Sequence, residues 1–275
     1  MKFAFSTLGC PDWSWNDILS TAKDMGFDGI EIRGIQNELY APHVKQFRHE
    51  NLPETLARLE QLKLPVVCLT SACYLFQKAA KDQMRREGRA YIDLAETLHV
   101  PYIRVMGDKN PQPEEPVADA FVAEGLQALS EYAKGKHVTL LIETNGAYAD
   151  SARLMSLLEL AGNQENIGVL WDIHHPFRYF GEPPKATYEI LGKKIKYLHV
   201  KDSVIEPNGG LKYKMMGQGD IPISEALQVL TDHGYDGYIS LEWVKRWYAD
   251  LEAPGVVFMQ FMNYMQRFFT QVKKI

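Results

Sequence analysis

Four side chains of metal-ligand type stand at or near the ends of short apolar runs. They are Glu143 in TLLIET (139–144), Asp172 in IGVLWD (167–172), His199 in IKYLHVK (195–201) and Glu242 in GYISLEW (237–243). Taken singly, each has an ordinary explanation: a strand-terminal carboxylate usually caps a helix or meets solvent, and a lone strand histidine usually makes a structural hydrogen bond. Four on consecutive runs that end at one rim are different. Three crowded carboxylates would raise one another's pKa values and oppose assembly of the site, and a divalent cation removes that repulsion. Three carboxylates and an imidazole form a hard, oxygen-rich donor set, suited to one Mn2+, Mg2+, Co2+ or Zn2+ ion rather than to a thiolate-seeking metal. His199 is then expected to bind through one ring nitrogen while the other meets an acceptor behind it.

Other polar residues could share that rim. Lys201 has the strand parity of His199; a solvated loop lysine is its plain alternative. His174 and His175 follow Asp172 after Ile173, so one reads as a substrate contact and the other as packing or a cap. Glu31 and Arg33 alternate with Ile30 and Ile32, so both can point inward, or simply pair with each other. Trp13 and Trp15 lie after the first run, where ring faces could cover a sugar or pack against a helix. Arg246 and Trp247 follow the last run and are placed to shape a pocket. The segment 203–220 reads as a long Gly-rich loop, and its GQG triplet is weak ground for phosphate binding.

Such residues meet only if the chain between them is regular. Eight apolar runs recur: 2–6, 29–33, 65–71, 102–107, 139–144, 167–172, 195–201 and 237–243. Helical periodicity follows most of them. In WNDILSTAKDMG, for example, Ile18, Leu19, Ala22 and Met25 share a face and Gly26 is a stop. Ser151 and Ser224 are expected N-caps. Strand-helix alternation predicts a parallel sheet, and eight units in 275 residues predict one closed (β/α)8 TIM barrel over 1–275, with catalytic groups at the C-terminal strand ends. An open doubly wound sheet is the alternative, but STLGCPDW after the first run has neither dinucleotide nor P-loop spacing. The stretch 108–119 reads as a strand-to-helix loop, and the aromatic 258–269 as a helix that closes the barrel.

Composition narrows the function classes. A net charge of −5 gives no general pull towards nucleic acid or an anionic membrane. No run is apolar for long enough to span a bilayer. Three cysteines make no disulfide framework, and the N-terminus lacks the pattern of a signal peptide. A cytoplasmic protein with a small-molecule partner is expected.

The ends LLIET, WDIHH, YLHVKDS and GYDGYISLEW, with GFDGIEIRG early and GQGDIPISEAL late, resemble the xylose-isomerase-like TIM-barrel superfamily of sugar phosphate isomerases and epimerases. That resemblance implies that Glu143, Asp172, His199 and Glu242 hold the metal. It also implies that Glu143 and Glu242 form the acid/base pair, that His175 contacts substrate, and that homo-oligomers form. The loop after His199 offers Lys201, Lys212 and Lys214 where epimerases commonly place an arginine, and His174 is additional. The expected activity is isomerisation or epimerisation of a ketose, inosose or related polyol through proton abstraction next to a carbonyl. Elimination of water from the same enediolate and non-catalytic polyol binding are the alternatives. Endonuclease-like members carry a larger histidine set than the eight found here.

Overall fold

The computed structural model describes residues 1–272; the last three of the expected 1–275 domain lie outside it. The described residues form ten strands: Lys2–Ser6 (β1), Gly29–Ile32 (β2), Val66–Tyr74 (β3), Tyr102–Met106 (β4), Thr139–Glu143 (β5), Ile167–Asp172 (β6), Ile195–Val200 (β7), Asp202–Ile205 (β8), Leu211–Lys214 (β9) and Tyr238–Leu241 (β10). Eight of them close a barrel in the order β1-β10-β7-β6-β5-β4-β3-β2. The closure is parallel, with Lys2 opposite Tyr238 and Phe5 opposite Leu241, which rules out the open sheet.

Alternate strand residues face the barrel axis, and this parity builds the site in layers. Ala4, Val67, Cys68, Leu141, Leu170 and Tyr197 fill the barrel with an apolar cluster. One step on towards the C-terminal ends, the register sets Asp172 beside His199 and His199 beside Ser240. The apolar cluster below therefore serves as a rigid, dry floor for the polar layer above it.

The helices cover the outside. Trp15–Asp24 (α1) starts at a capping box between Ser14 and Asp17 and buries Trp15, Ile18, Leu19 and Ala22. Leu52–Leu62 (α2), Lys81–Thr97 (α3), Asp119–Ala133 (α4) and Ser151–Leu160 (α5) follow their strands. Two short helices, His174–Phe180 (α6) and Pro184–Leu191 (α7), join β6 to β7, before Ile223–Asp232 (α8) and Pro254–Val272 (α9). On α9, Phe258 and Phe261 are fully buried, with ring centroids 4.3 Å from Phe5 and 6.0 Å from Phe27 respectively. None of these helices is long and apolar enough to cross a membrane.

Three expectations are corrected. Asp150 rather than Ser151 caps α5, because its carboxylate accepts the N–H groups of Ala152 and Arg153. Ser224 lies one residue inside α8, which follows Pro222 and has no side-chain cap. The segment 203–220 is not a simple loop: β8 and β9 pair as an antiparallel hairpin. Beyond it, the Asp202 carboxylate accepts the N–H groups of Gly217 and Gly219 at 2.9 and 2.8 Å. The GQG amides thus already hold an anion of the chain's own. Gly219 is required there, since a Cβ would fall 2.0 Å from Asp202 Oδ1.

Candidate active site

Glu143 and Asp172 end β5 and β6, His199 sits near the end of β7, and Glu242 follows β10. These are four adjacent strands of the barrel. One ligand atom from each residue lies within 4.8 Å of the other three, and all four residues are buried. His199 Nδ1 is 3.5 Å from Glu143 Oε1 and 3.4 Å from Glu242 Oε1. Its other nitrogen, Nε2, contacts Glu31 Oε2 at 2.8 Å. The carboxylate of Glu31 fixes the ring so that Nδ1 faces the cluster, where this buried atom has no hydrogen-bond partner.

The charges explain how such a group can be buried. Burial pushes the Glu143 carboxyl up, but the Arg104 guanidinium, 2.6 Å away, and then His199 hold it well below the usual carboxylate range. Glu242 is likewise pushed up by burial and brought below its ordinary value by Lys201 and His199. Lys201 is fully buried and bridges two carboxylates: its ammonium donates to Asp172 and, at 2.6 Å, to Glu242. Those two partners outweigh desolvation and keep it charged. His199 is held well above the ordinary imidazole value, with burial opposing and Glu31 and Glu242 prevailing.

The site therefore calls for positive charge at the His199 Nδ1 position. A divalent cation meets the same demand as a proton there, and Glu143, Asp172 and Glu242 supply hard oxygen donors around it. Glu31 takes the role of the acceptor behind the histidine that such sites commonly need. The residues present fit one such ion.

A cavity of about 250 Å3 opens above this cluster. Of the residues singled out from the sequence, Glu143, Glu242, His175, Lys201, Arg33 and Trp247 line it. His175 Nδ1 is 2.9 Å from the Thr144 carbonyl, an acceptor only, so that nitrogen carries the proton. Burial lowers the His175 pKa, opposed by Asp172, whose Oδ2 lies 3.5 Å from Nε2. His174 faces elsewhere, bonding Ser203 Oγ at 2.8 Å through Nε2 and stacking on Tyr213.

The structure does not bring Trp13, Trp15 or Arg246 into the cavity lining. Trp13 meets the edge of Phe258, and Trp15 packs on Phe47. Arg246 turns back towards Pro11, with Nη2 3.5 Å from its carbonyl. Glu31 pairs with His199 rather than with Arg33. Lys212 pairs with Glu206 on the hairpin. A roomier groove of about 690 Å3 runs along α1 and α2, away from the strand ends.

Sequence reasoning missed Arg104, Tyr74, Lys109, Asn145 and Tyr213, which also line the cavity. A signal for Arg104 was present: it shares the inward parity of Tyr102 and Met106 in a strand too apolar to leave arginine unpaired. Tyr213 had no local signal, because only the hairpin carries it back over the barrel mouth.

Comparison with known proteins agrees with this architecture. Residues 19–258 match the family described as Xylose isomerase-like TIM barrel. A fructoselysine 3-epimerase from Shigella flexneri is 26% identical over 257 residues, covering 89% of this chain and 90% of that protein. The crystal structure of the probable 3-DHS dehydratase AsbF from Bacillus anthracis superposes with a TM-score of 0.77 at 18% identity, covering 97% of this chain and 99% of that one. The IOLI protein, crystallised with a bound zinc atom, gives a TM-score of 0.75 at 20% identity, with 96% of each chain covered. With more than two thirds of its length matched by that family, and with a closed eight-stranded barrel, the chain belongs to the xylose isomerase-like TIM barrel family.

Proposed function

We propose that this protein is a divalent-metal-dependent isomerase or epimerase of a ketose, inosose or related polyol. One observation carries the reading: Glu143, Asp172, His199 and Glu242 converge within 4.8 Å, and Glu31 turns the free nitrogen of His199 into the group. The likeness to fructoselysine 3-epimerase supports the reaction class, and the zinc-bound relative in fold supports a metal. When bound, a divalent ion supplies Lewis acidity towards a substrate carbonyl and its neighbouring hydroxyl.

The chain's own groups do the proton work. Glu143 and Glu242 approach the cavity from β5 and from the end of β10, with Arg104 and Lys201 orienting one oxygen of each. One carboxylate takes the proton from the carbon next to the carbonyl, leaving an enediolate. The other, ionised in the resting site, must first take a proton from solvent or a substrate hydroxyl, and then returns it from the opposite face. Return to the same carbon inverts it; return to the former carbonyl carbon interconverts ketose and aldose. His175, which lines the cavity, hydrogen-bonds a substrate hydroxyl. Elimination would further need an acid beside the departing hydroxyl. Lys201 is a poor candidate, because it already donates to Asp172 and Glu242 and their charges raise its pKa, which makes it a weak acid.

Metal analysis followed by incubation with ketoses, inososes and their phosphates in deuterium oxide tests this reading. A single bound ion and metal-dependent incorporation of deuterium next to the carbonyl are expected, with the product otherwise unchanged in mass. A product lighter by one water would make the enzyme a lyase. Polyol binding without exchange would make it a binding protein.

A further inference from the structure

The cavity is lined by a guanidinium that has no carboxylate within ion-pair distance among the described residues. Arg33 follows β2 and is anchored through its backbone, its N–H donating to Thr7 Oγ1 at 2.9 Å while that hydroxyl donates to the Gly34 carbonyl at 2.7 Å. Its guanidinium lines the cavity and lies 5.9 Å from the ring of Trp247. Its one side-chain hydrogen bond goes from Nη1 to the Leu39 carbonyl at 3.3 Å. A guanidinium has five N–H donors, so most of its donors remain for a ligand.

The other buried cations of the cavity are accounted for. Arg104 holds Glu143, and Lys201 holds Asp172 and Glu242. Among the described residues, no carboxylate lies within ion-pair distance of Arg33. Glu87 is close enough to be felt electrostatically but forms no ion pair with Arg33; its carboxylate accepts the Ala72 N–H at 3.0 Å. Desolvation first, and then repulsion from Arg104, lower the Arg33 pKa. The four carboxylates of the floor, Glu31, Glu143, Asp172 and Glu242, are matched by Arg104, Lys201 and a divalent ion. Arg33 lies outside that balance, with Glu87 near it but not paired to it.

We propose that the substrate carries an anionic group, a phosphate ester or a carboxylate, and that Arg33 is the residue that selects it. The inference rests on the polyol-isomerase reading of the same cavity and names its substrate class. Arg33 reaches the cavity from β2, which β1 separates from β10 and β3 and β4 separate from β5, so the anionic group is held by a strand other than those of the acid/base pair. A planar guanidinium binds either oxyanion in a bidentate fork. The cavity, at about 250 Å3, suits a small charged polyol; drug-sized ligands occupy roughly 300–1,000 Å3.

Calorimetric titration of the metal-loaded protein with D-fructose, D-fructose 6-phosphate and D-fructuronate tests this, with Arg33→Gln and Arg33→Lys alongside. The wild type is expected to bind at least one anion about ten- to hundred-fold more tightly than the neutral ketose. Arg33→Gln should abolish the preference, weakening the anion far more than D-fructose, and Arg33→Lys should keep part of it. Which anion wins separates phosphate from carboxylate recognition. Equal binding of all three, no binding of either anion, or a preference that survives Arg33→Gln overturns the proposal. Anion preference without deuterium exchange would sink the isomerase reading and leave this one standing. Exchange on neutral ketoses with no preference would do the reverse.

Discussion

The barrel has two unlike halves. Strands β5, β6, β7 and β10 bring three carboxylates and an imidazole to one side of the mouth. The elements from β1 to β4 and the loops that follow them bring Leu8, Arg33, Tyr74, Arg104 and Lys109 to the other. Both halves use the same strand alternation and rest on the same apolar floor. They differ in the sign of what they present, and Arg104 crosses the boundary to hold Glu143 at 2.6 Å. On the proposed reading, the negative half carries out the reaction and the positive half orients the substrate. Among the carboxylates Glu31 is the exception, standing on β2 yet serving His199 of β7, while Lys201, just after β7, sets an ammonium among the carboxylates of the negative half.

The sharpest test of that division is Glu242→Gln. Acid/base help is typically worth about 10²–10⁴-fold, so deuterium exchange should fall by that factor while calorimetry still shows ligand binding. Near-normal exchange would remove Glu242 from the mechanism and blur the two halves. Glu31→Gln probes the exception. Loss of an acceptor behind a ligating histidine commonly lowers metal affinity about 10–100-fold, which competition with a chelator would read. Unchanged affinity would leave Glu31 as mere filling.

A pH series sharpens the electrostatic contrast further. Metal binding needs His199 Nδ1 without its proton, and Glu31 and Glu242 hold that proton above the ordinary imidazole range. Binding must then release a proton. Metal affinity should therefore rise with pH through the ordinary imidazole range and on up to the raised His199 value, by up to about tenfold per unit for one proton. A flat profile by calorimetry in buffers of different ionisation enthalpy would contradict that assignment. The smallest effect belongs to Asp150→Ala, which removes a helix cap next to the reactive half. A cost of about 1 kcal/mol, or roughly 2–4 °C in melting temperature, is expected with turnover unchanged. A loss of turnover would mean that α5 positions Glu143 more directly than its cap suggests.

Much of this molecule can be read along the chain, because strand periodicity and strand-end chemistry are local. The eight barrel strands fall where apolar runs recur, and the parity of Glu143, Asp172, His199 and Glu242 within their runs already aims them at one interior. The caps were less legible. Ser151 and Asp150 are adjacent and both are capping types, and only the backbone geometry shows whose oxygen reaches the free N–H groups. The tryptophans were ambiguous for a related reason: a ring after β1 can face a ligand or a helix, and Phe258, some 245 residues along from Trp13, decides it.

By itself, then, the sequence determined the barrel, its polar end and the four ligand-type residues on adjacent strands, since period-two alternation and apolar content are properties of neighbours along the chain. Only the tertiary structure decided which charges pair. Glu31 meets His199 across 168 residues of sequence, Arg104 meets Glu143, Lys201 bridges Asp172 and Glu242, and Arg33 is left facing the cavity. Charge pairing in a buried space depends on distances of a few ångströms between separate strands, and those are fixed only when the barrel closes.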